Sequence, residues 1–258
     1  SIIKGVFSLL AGNPREVPDA IRAQIPNADK VKPVEPEDTL IITYAGHGYA
    51  DRSGIFYLVP NDIGADTFRI TSENAVRMIS SDELSLWMQD ITAAEMIMVI
   101  DACHSSSAVQ GEGFKPAPMG SRGLGQLAYD KGMRILSATQ SNNVALELGS
   151  LQQGLLSYAL LEDGVVKKKA DTGPSDGKLT AAEWLGYAEK AVPKLYQDVL
   201  DGKRSILVAG VPTDTSKLTA QARADKFCEN CDPKKIVQEP SIFDFRKNKT
   251  ERILIDLK

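Results

Sequence analysis

Two residues in this 258-residue chain combine a side chain suited to covalent chemistry with a backbone suited to display it. His47 stands between two glycines in TYAGHGYA, and Cys103 stands in MIMVIDACHSSS, where a run of buried-strand residues gives way to serines. A thiolate is a strong nucleophile, and an imidazole exchanges a proton near neutral pH. Glycine on both sides of a histidine lets backbone approach a ligand closely and leaves N–H groups free to point into a site. With two histidines in the chain, imidazole chemistry must use His47 or His104. His104 adjoins Cys103, and adjacent side chains on an extended segment point apart, so His47 is the better partner. Taken singly, a strand-end cysteine reads equally as a small core residue and a lone histidine as a satisfied polar group. Their pairing is what points to chemistry.

Pairing them requires two strands that end at one edge. TLIITYAG (39–46), EMIMVIDA (95–102), MRILSATQ (133–140) and SILVAGV (205–211) are near-continuously hydrophobic, as strands covered on both faces of a mostly parallel sheet should be. Helix signals separate them. SSDELSLWMQDI opens with Ser80 and Glu83 at capping-box spacing, and LTAAEWLGYAEKAVPKL opens with Thr180 and Glu183 at the same spacing. Alternating strands and helices predict a layered α/β domain. If the first two runs are parallel neighbours, His47 and Cys103 meet at the edge where both end. Residues 105–126 and 212–240, rich in Gly, Ser, Pro and charge, read as long loops. In DTGPSDGKLTAAE, Gly177 and Glu183 occupy the sixth and twelfth places of a calcium loop, but Thr172 and Pro174 stand where its first acids belong, so a turn and a capped helix are expected.

A hydrophobic strand into GHG, followed by a hydrophobic strand into DACHS, resembles the caspase-like peptidases, in particular their metacaspase and bacterial branch. The separation of His47 and Cys103 fits the roughly 50 residues of the caspase pair. ISSDELSLWMQDI before the second strand, and LSATQSNNVALE with GLLSYALLEDG after it, extend the likeness over residues 1–212. The resemblance implies a three-layer sandwich with a mostly parallel central sheet flanked by helices. The strand, helix and strand that ordinarily open such domains are missing before SIIKGVFSLLAG, so further domains or a partner chain would supply them. Residues 213–258, a loop and then a strand-like tail ending in RILIDLK, are expected as a C-terminal extension whose last strand either fills a sheet edge or leads into another domain.

The activity implied is that of a cysteine endopeptidase. Cys103 would attack the scissile carbonyl, and His47 would lower the thiol's effective pKa or protonate the leaving amine. The oxyanion would be held by the N–H groups of Gly48 and Cys103. A transpeptidase or acyl-transferase would share the dyad, and a non-catalytic caspase-like module would share only the fold. Asp101 lies two residues before Cys103 and so projects to the same side. Caspases carry Gln there, in a pocket whose arginines accept Asp; an acid inverts that charge, as in metacaspase-like relatives that cleave after Arg or Lys. Arg should be preferred over Lys, because its planar fork matches a carboxylate. Ser137 in the third strand run, and Ser141 and Glu147 after it, would line the same pocket, although Ser141 and Asn142 stand where metacaspases place a second acid. Alternatively, Asp101 only hydrogen-bonds loop amides. Lys115 and Arg122, in the loop after the nucleophile, are candidates for self-cleavage.

With 43% hydrophobic and 25% charged residues the chain can bury a substantial core, and its net charge of −4 with interspersed signs favours neither nucleic acid nor an anionic membrane as partner. A protein or peptide substrate is the expected partner, and no cofactor or metal is called for. Three cysteines are too few for a disulfide framework, so a reducing, cytoplasmic setting is expected. Cys228 and Cys231 have the spacing of a zinc pair but lack an evident second pair; a polar turn, with or without a reversible disulfide, is the simpler reading.

Overall fold

The computed structural model describes residues 1–51, 53–63, 76–104, 122–138, 147–148, 153–201, 203, 206–208, 211–213 and 238–257. Its centre is a six-stranded mixed sheet in the order β11-β5-β4-β1-β2-β3, built from β1 (Thr39–Ala50), β2 (Phe56–Val59), β3 (Ile79–Ser80), β4 (Glu95–His104), β5 (Arg134–Ser137) and β11 (Ser241–Asp244). The three middle strands β5, β4 and β1 run parallel, and antiparallel strands extend the sheet on either side. Three of the four apolar runs thus lie at the heart of the sheet. The fourth does not. β9 (Ile206–Val208) pairs antiparallel with β10 (Val211–Thr213) in a separate four-stranded sheet with β6 (Glu147–Leu148) and β7 (Gln153–Gly154). A third, two-stranded sheet joins β8 (Lys178–Thr180) to β12 (Ile253–Asp256).

β4 is buried on both faces, and its alternation divides the core. Ile97 and Val99 pack with Leu155, Leu156, Trp184, Leu185 and Tyr196, from α5 (Leu155–Tyr158, continued as a π-helix over Ala159–Val166) and α6 (Ala181–Leu200). Met96, Met98, Ile100 and Ala102 pack on the other face with Leu84 of α3 (Ser81–Trp87), with Leu124 and Leu127 of α4 (Arg122–Lys131), and with Phe7 of α1 (Ile2–Leu10). Each such side chain contributes about 1.5–3 kcal/mol by leaving water. The result is the expected helix–sheet–helix sandwich. Both predicted capping boxes form: Ser80 and Glu83 start α3, and Thr180 and Glu183 start α6. Trp184 donates its indole N–H to the Leu160 carbonyl within the π-helical stretch, 3.0 Å away. The calcium-like segment is a turn, with Asp171 accepting from the backbone N–H groups of Asp176 and Gly177.

A second stretch also differs from the sequence reading. The stretch read as a loop through residue 126 is helical from Arg122 onwards. Gly123 permits this, because a Cβ there would lie 2.7 Å from both the Phe56 nitrogen and Ser81 Oγ; the glycine marks close packing of α4 and not a loop. The strand-like tail, read as a C-terminal extension that either fills a sheet edge or leads into another domain, adds strands to two sheets. β11 adds to β5 as the outermost strand of the main sheet, and β12 pairs with β8. A buried ionic cluster fastens it. Glu95 and Arg134, both almost fully buried, meet Arg246, which reaches Glu95 at 3.3 Å, Asp244 at 2.9 Å and Glu251 at 3.0 Å; Arg134 also pairs with Asp244 and Glu251. Burial raises the Glu95 carboxyl above its ordinary value despite the two arginines. Burial pushes Asp244 the same way, but hydrogen bonds from Arg246 and Lys249 outweigh it and hold the group well below the usual range.

β1 is covered unevenly. Leu40, Ile42 and Tyr44 pack into the α3–α4 side of the core, while Thr39, Ile41, Thr43, Ala45 and His47 on the opposite face are exposed, Ile41 by 42%. Among the described residues, β2 pairs with β1 only over His47–Ala50, so the edge of residues 39–46 facing away from β4 has no strand beside it. No helix among the described residues is long and apolar enough to cross a membrane.

Candidate active site

β1 and β4 pair in parallel from Thr39↔Glu95 to Gly48↔His104, and within that ladder His47 is the register partner of Cys103. Both strands run further than the sequence suggested, so the two residues lie inside the ladder. Register partners in a parallel pair share a face and sit about 4.8 Å apart along the hydrogen-bonding direction. That face is the exposed face of β1, and His47 is exposed on it. His104, one residue on, is opposite Gly48 and belongs to the other face.

The two glycines around His47 serve different neighbours. A Cβ at Gly48 would meet the Phe56 ring at 2.9 Å and the Ala102 methyl at 3.2 Å, so the strand passes there only without a side chain. A Cβ at Gly46 would lie 2.9 Å from the Tyr44 hydroxyl. That hydroxyl is 2.8 Å from the His47 carbonyl and 2.8 Å from the Val59 carbonyl, and it holds together the β1–β2 register pair His47↔Val59. Burial pushes the Tyr44 pKa up to about 12, so the group remains a protonated donor.

Asp101 is 8% exposed and sits on the Cys103 face, opposite Ala45 of β1. Its Oδ2 accepts two hydrogen bonds from Ser157, from the backbone N–H at 2.9 Å and from the hydroxyl at 2.5 Å. Ser157 is the third residue of α5, whose N-cap is Gly154 and has no side chain to offer. Asp101 therefore caps this helix from another strand, satisfying an N–H that no helical carbonyl can reach. Gly154 makes room for it, since a Cβ there would fall 2.7 Å from both Asp101 Cγ and Oδ1. Glu147 is the register partner of Gly154 and so stands one strand from this contact. Ser137 is fully buried and pairs with Ile100, which places it on the opposite face of the sheet from Asp101 and Cys103. Arg122 is the exposed first residue of α4. Ser141, Asn142, Lys115, Cys228 and Cys231 lie outside the described residues. Among the described residues no three His, Cys, Asp or Glu gather as metal ligands would.

A family model described as the caspase domain matches residues 20–179, more than half of the chain. The chain belongs to the caspase-domain family. The match spans β1, β4 and the Asp101–Ser157 contact, and it begins after residue 1 and ends before residue 212 of the stretch in which the likeness was read. No curated protein matches the chain significantly. Cysteine-peptidase chemistry is the general activity of the family. Tyr44, Gly154 and Ser157 were not picked out from the sequence. Tyr44 stands three residues before His47 on the strand, and Gly154 and Ser157 have the N-cap to third-residue spacing of a helix start, a signal hidden by the glycine's lack of a capping atom.

Proposed function

We propose that the chain is a cysteine endopeptidase that cleaves after basic residues, Arg before Lys, with Cys103 as nucleophile and His47 as its proton partner. The observation that carries the reading is the register of β1 and β4, in which His47 stands beside Cys103 on one face of a parallel pair. In the reaction, the Cys103 sulfur bonds to the scissile carbonyl carbon and the amine leaves with a proton from His47. Water then releases the acyl group and regenerates the thiol. The N–H groups of Gly48 and Cys103 hold the carbonyl oxygen while it carries charge. Asp101, nearly buried two residues before the nucleophile and on its face, supplies the carboxylate that pairs with the guanidinium of the residue before the cut. Glu147, whose backbone pairs with Gly154, is assigned as a second acid of that pocket. The open edge of β1 and its bare face with Ile41 support a further point: another strand, from elsewhere in a longer polypeptide or from a partner, completes the sheet there.

The decisive experiment is a panel of fluorogenic peptides varied at the residue before the cut, with and without an added amine acceptor, on wild type and Cys103→Ala. Cleavage after Arg and then Lys, negligible cleavage after Asp, and loss of turnover in Cys103→Ala are expected. An amine adduct as the main product would make the chain a transpeptidase. Undiminished turnover in Cys103→Ala would end the reading altogether.

A further inference from the structure

We propose that Tyr44 is a positioning residue for the active site, acting by fixing the peptide bond between His47 and Gly48. The proposal rests on the reading of His47 and Cys103 as the catalytic pair. A peptide unit is planar and trans, so its C=O and N–H point in opposite directions and turn together. Whatever holds the His47 carbonyl therefore aims the Gly48 N–H, a proposed oxyanion donor. Strands flank that unit on both sides, but glycines before and after His47 leave their own φ and ψ unusually free, so it turns more easily than the rest of the strand. It also lies where β1 changes partners: residues 39–48 pair with β4, whereas His47–Ala50 pair with β2. At this junction the Tyr44 hydroxyl sits 2.8 Å from both the His47 and Val59 carbonyls. Its single hydrogen is shared between them, and the ring is anchored against the α3–α4 core. Gly46 fits the same account, since a Cβ there would lie 2.9 Å from that hydroxyl and push it off the carbonyls.

Tyr44→Phe keeps the ring and removes the clamp. The expected result is a fall in kcat of about 10-fold with KM little changed, smaller than the 10²–10³ for deleting an oxyanion donor outright. A peptide aldehyde provides the specific readout. The Cys103 thiol adds across its C=O, forming a C–S bond and leaving the oxygen, which takes up the proton, in the oxyanion position. Its affinity should fall in step with kcat. Alkylation of Cys103 by iodoacetamide, which needs no oxyanion site, should keep its rate when followed at that residue by mass spectrometry. Gly46→Ala should reproduce the loss in the wild type and add little in the Tyr44→Phe background, because the closest clash, with the hydroxyl, is gone and the ring carbon 3.1 Å from the new Cβ has no carbonyl left to clamp. Wild-type kcat and aldehyde affinity in Tyr44→Phe would overturn the proposal. So would a loss matched by slower alkylation or a collapse of Tm, which would make Tyr44 a general support of the fold. Activity surviving in both Cys103→Ala and His47→Ala would instead refute the dyad, whatever Tyr44 does.

Discussion

Ser157 donates two hydrogen bonds to one oxygen of Asp101, at 2.9 and 2.5 Å, and so ties the strand that carries Cys103 to the start of α5. The proposed specificity adds a second, separable duty to the carboxylate: beyond accepting from Ser157, it would supply charge. Asp101→Asn retains an oxygen for Ser157 and loses the charge; Asp101→Ala loses both. Asp101→Asn should fold with a Tm close to wild type but lose its preference for Arg and Lys by at least about 10-fold in kcat/KM. Asp101→Ala should in addition lose about 1–3 kcal/mol of stability, the cost of leaving a buried donor unsatisfied. An Asp101→Asn enzyme that still prefers Arg would reduce Asp101 to a helix cap.

The same contact makes Gly154 the most sensitive glycine near the site. A Cβ there overlaps the Asp101 carboxylate, so Gly154→Ala should cost about 1–3 kcal/mol and shift the carboxylate from its place. Because the two groups collide directly, the losses should not add: Gly154→Ala in the Asp101→Ala background should cost far less than in wild type. Denaturant titration of the four proteins measures the coupling. Simple additivity would mean that α5 tolerates the methyl by moving.

His47 and His104 offer an internal control. Their register places them on opposite faces of the sheet, with only His47 level with Cys103. His47→Ala should therefore reduce kcat/KM by about 10³-fold or more, as removal of a member of a catalytic unit does. His104→Ala should leave it within a few-fold. An equal loss in both variants would show that the face assignment does not govern the chemistry.

What could be read from the sequence was local or arose from pairing of adjacent strand runs. Residues 39–46 and 95–102 carry enough β-branched and apolar side chains to announce strands, and Ser80–Glu83 and Thr180–Glu183 announce helix starts within four residues each. Side-by-side placement of those two strands brings His47 level with Cys103. What escaped depends on contacts between distant segments. Gly123 reads as a loop residue until the backbone at Phe56 is seen pressed against it. SILVAGV has the composition of a central strand, but Ile206–Val208 within it pairs in the minor sheet, while an edge of the central sheet is taken by Ser241–Asp244. Nothing in Asp244, Arg246 and Glu251 as a string of exposed-looking charges reveals that they enclose Glu95 and Arg134, more than 100 residues earlier.

This arrangement predicts that the peptidase domain does not end at residue 212. Truncation after that residue strips β11 from β5, opens the sheet edge, and takes from Arg134 and Glu95 their charged partners Asp244, Arg246 and Glu251. Breaking a buried charge network typically costs about 3–5 kcal/mol, a large part of a domain's total stability. The truncated chain should be insoluble or should unfold well below the full chain in a thermal melt. A folded, active 1–212 fragment would show that the tail is dispensable.

Acid should loosen the same junction, and the sign follows from its carboxylates. Burial opposes ionisation of Asp244 and Glu251, but hydrogen bonds from Arg246 to Asp244 and from Arg134 to Glu251 outweigh it, so both are held below their ordinary values in the folded chain. Groups lowered on folding contribute stability that is present above their unfolded pKa and is lost as pH falls through the folded one. Glu95 works in the opposite sense. Burial raises it, so its share of stability is present below its unfolded pKa and declines as it ionises. Two lowered carboxylates against one raised should leave a net loss of Tm between about pH 5 and 3. Arg246→Met removes the shared partner and lets Asp244 and Glu251 return toward ordinary values, so its Tm should start lower and fall less steeply over the same interval. Melting curves of both proteins at half-unit steps test this directly. Parallel slopes would place the acid sensitivity elsewhere in the molecule.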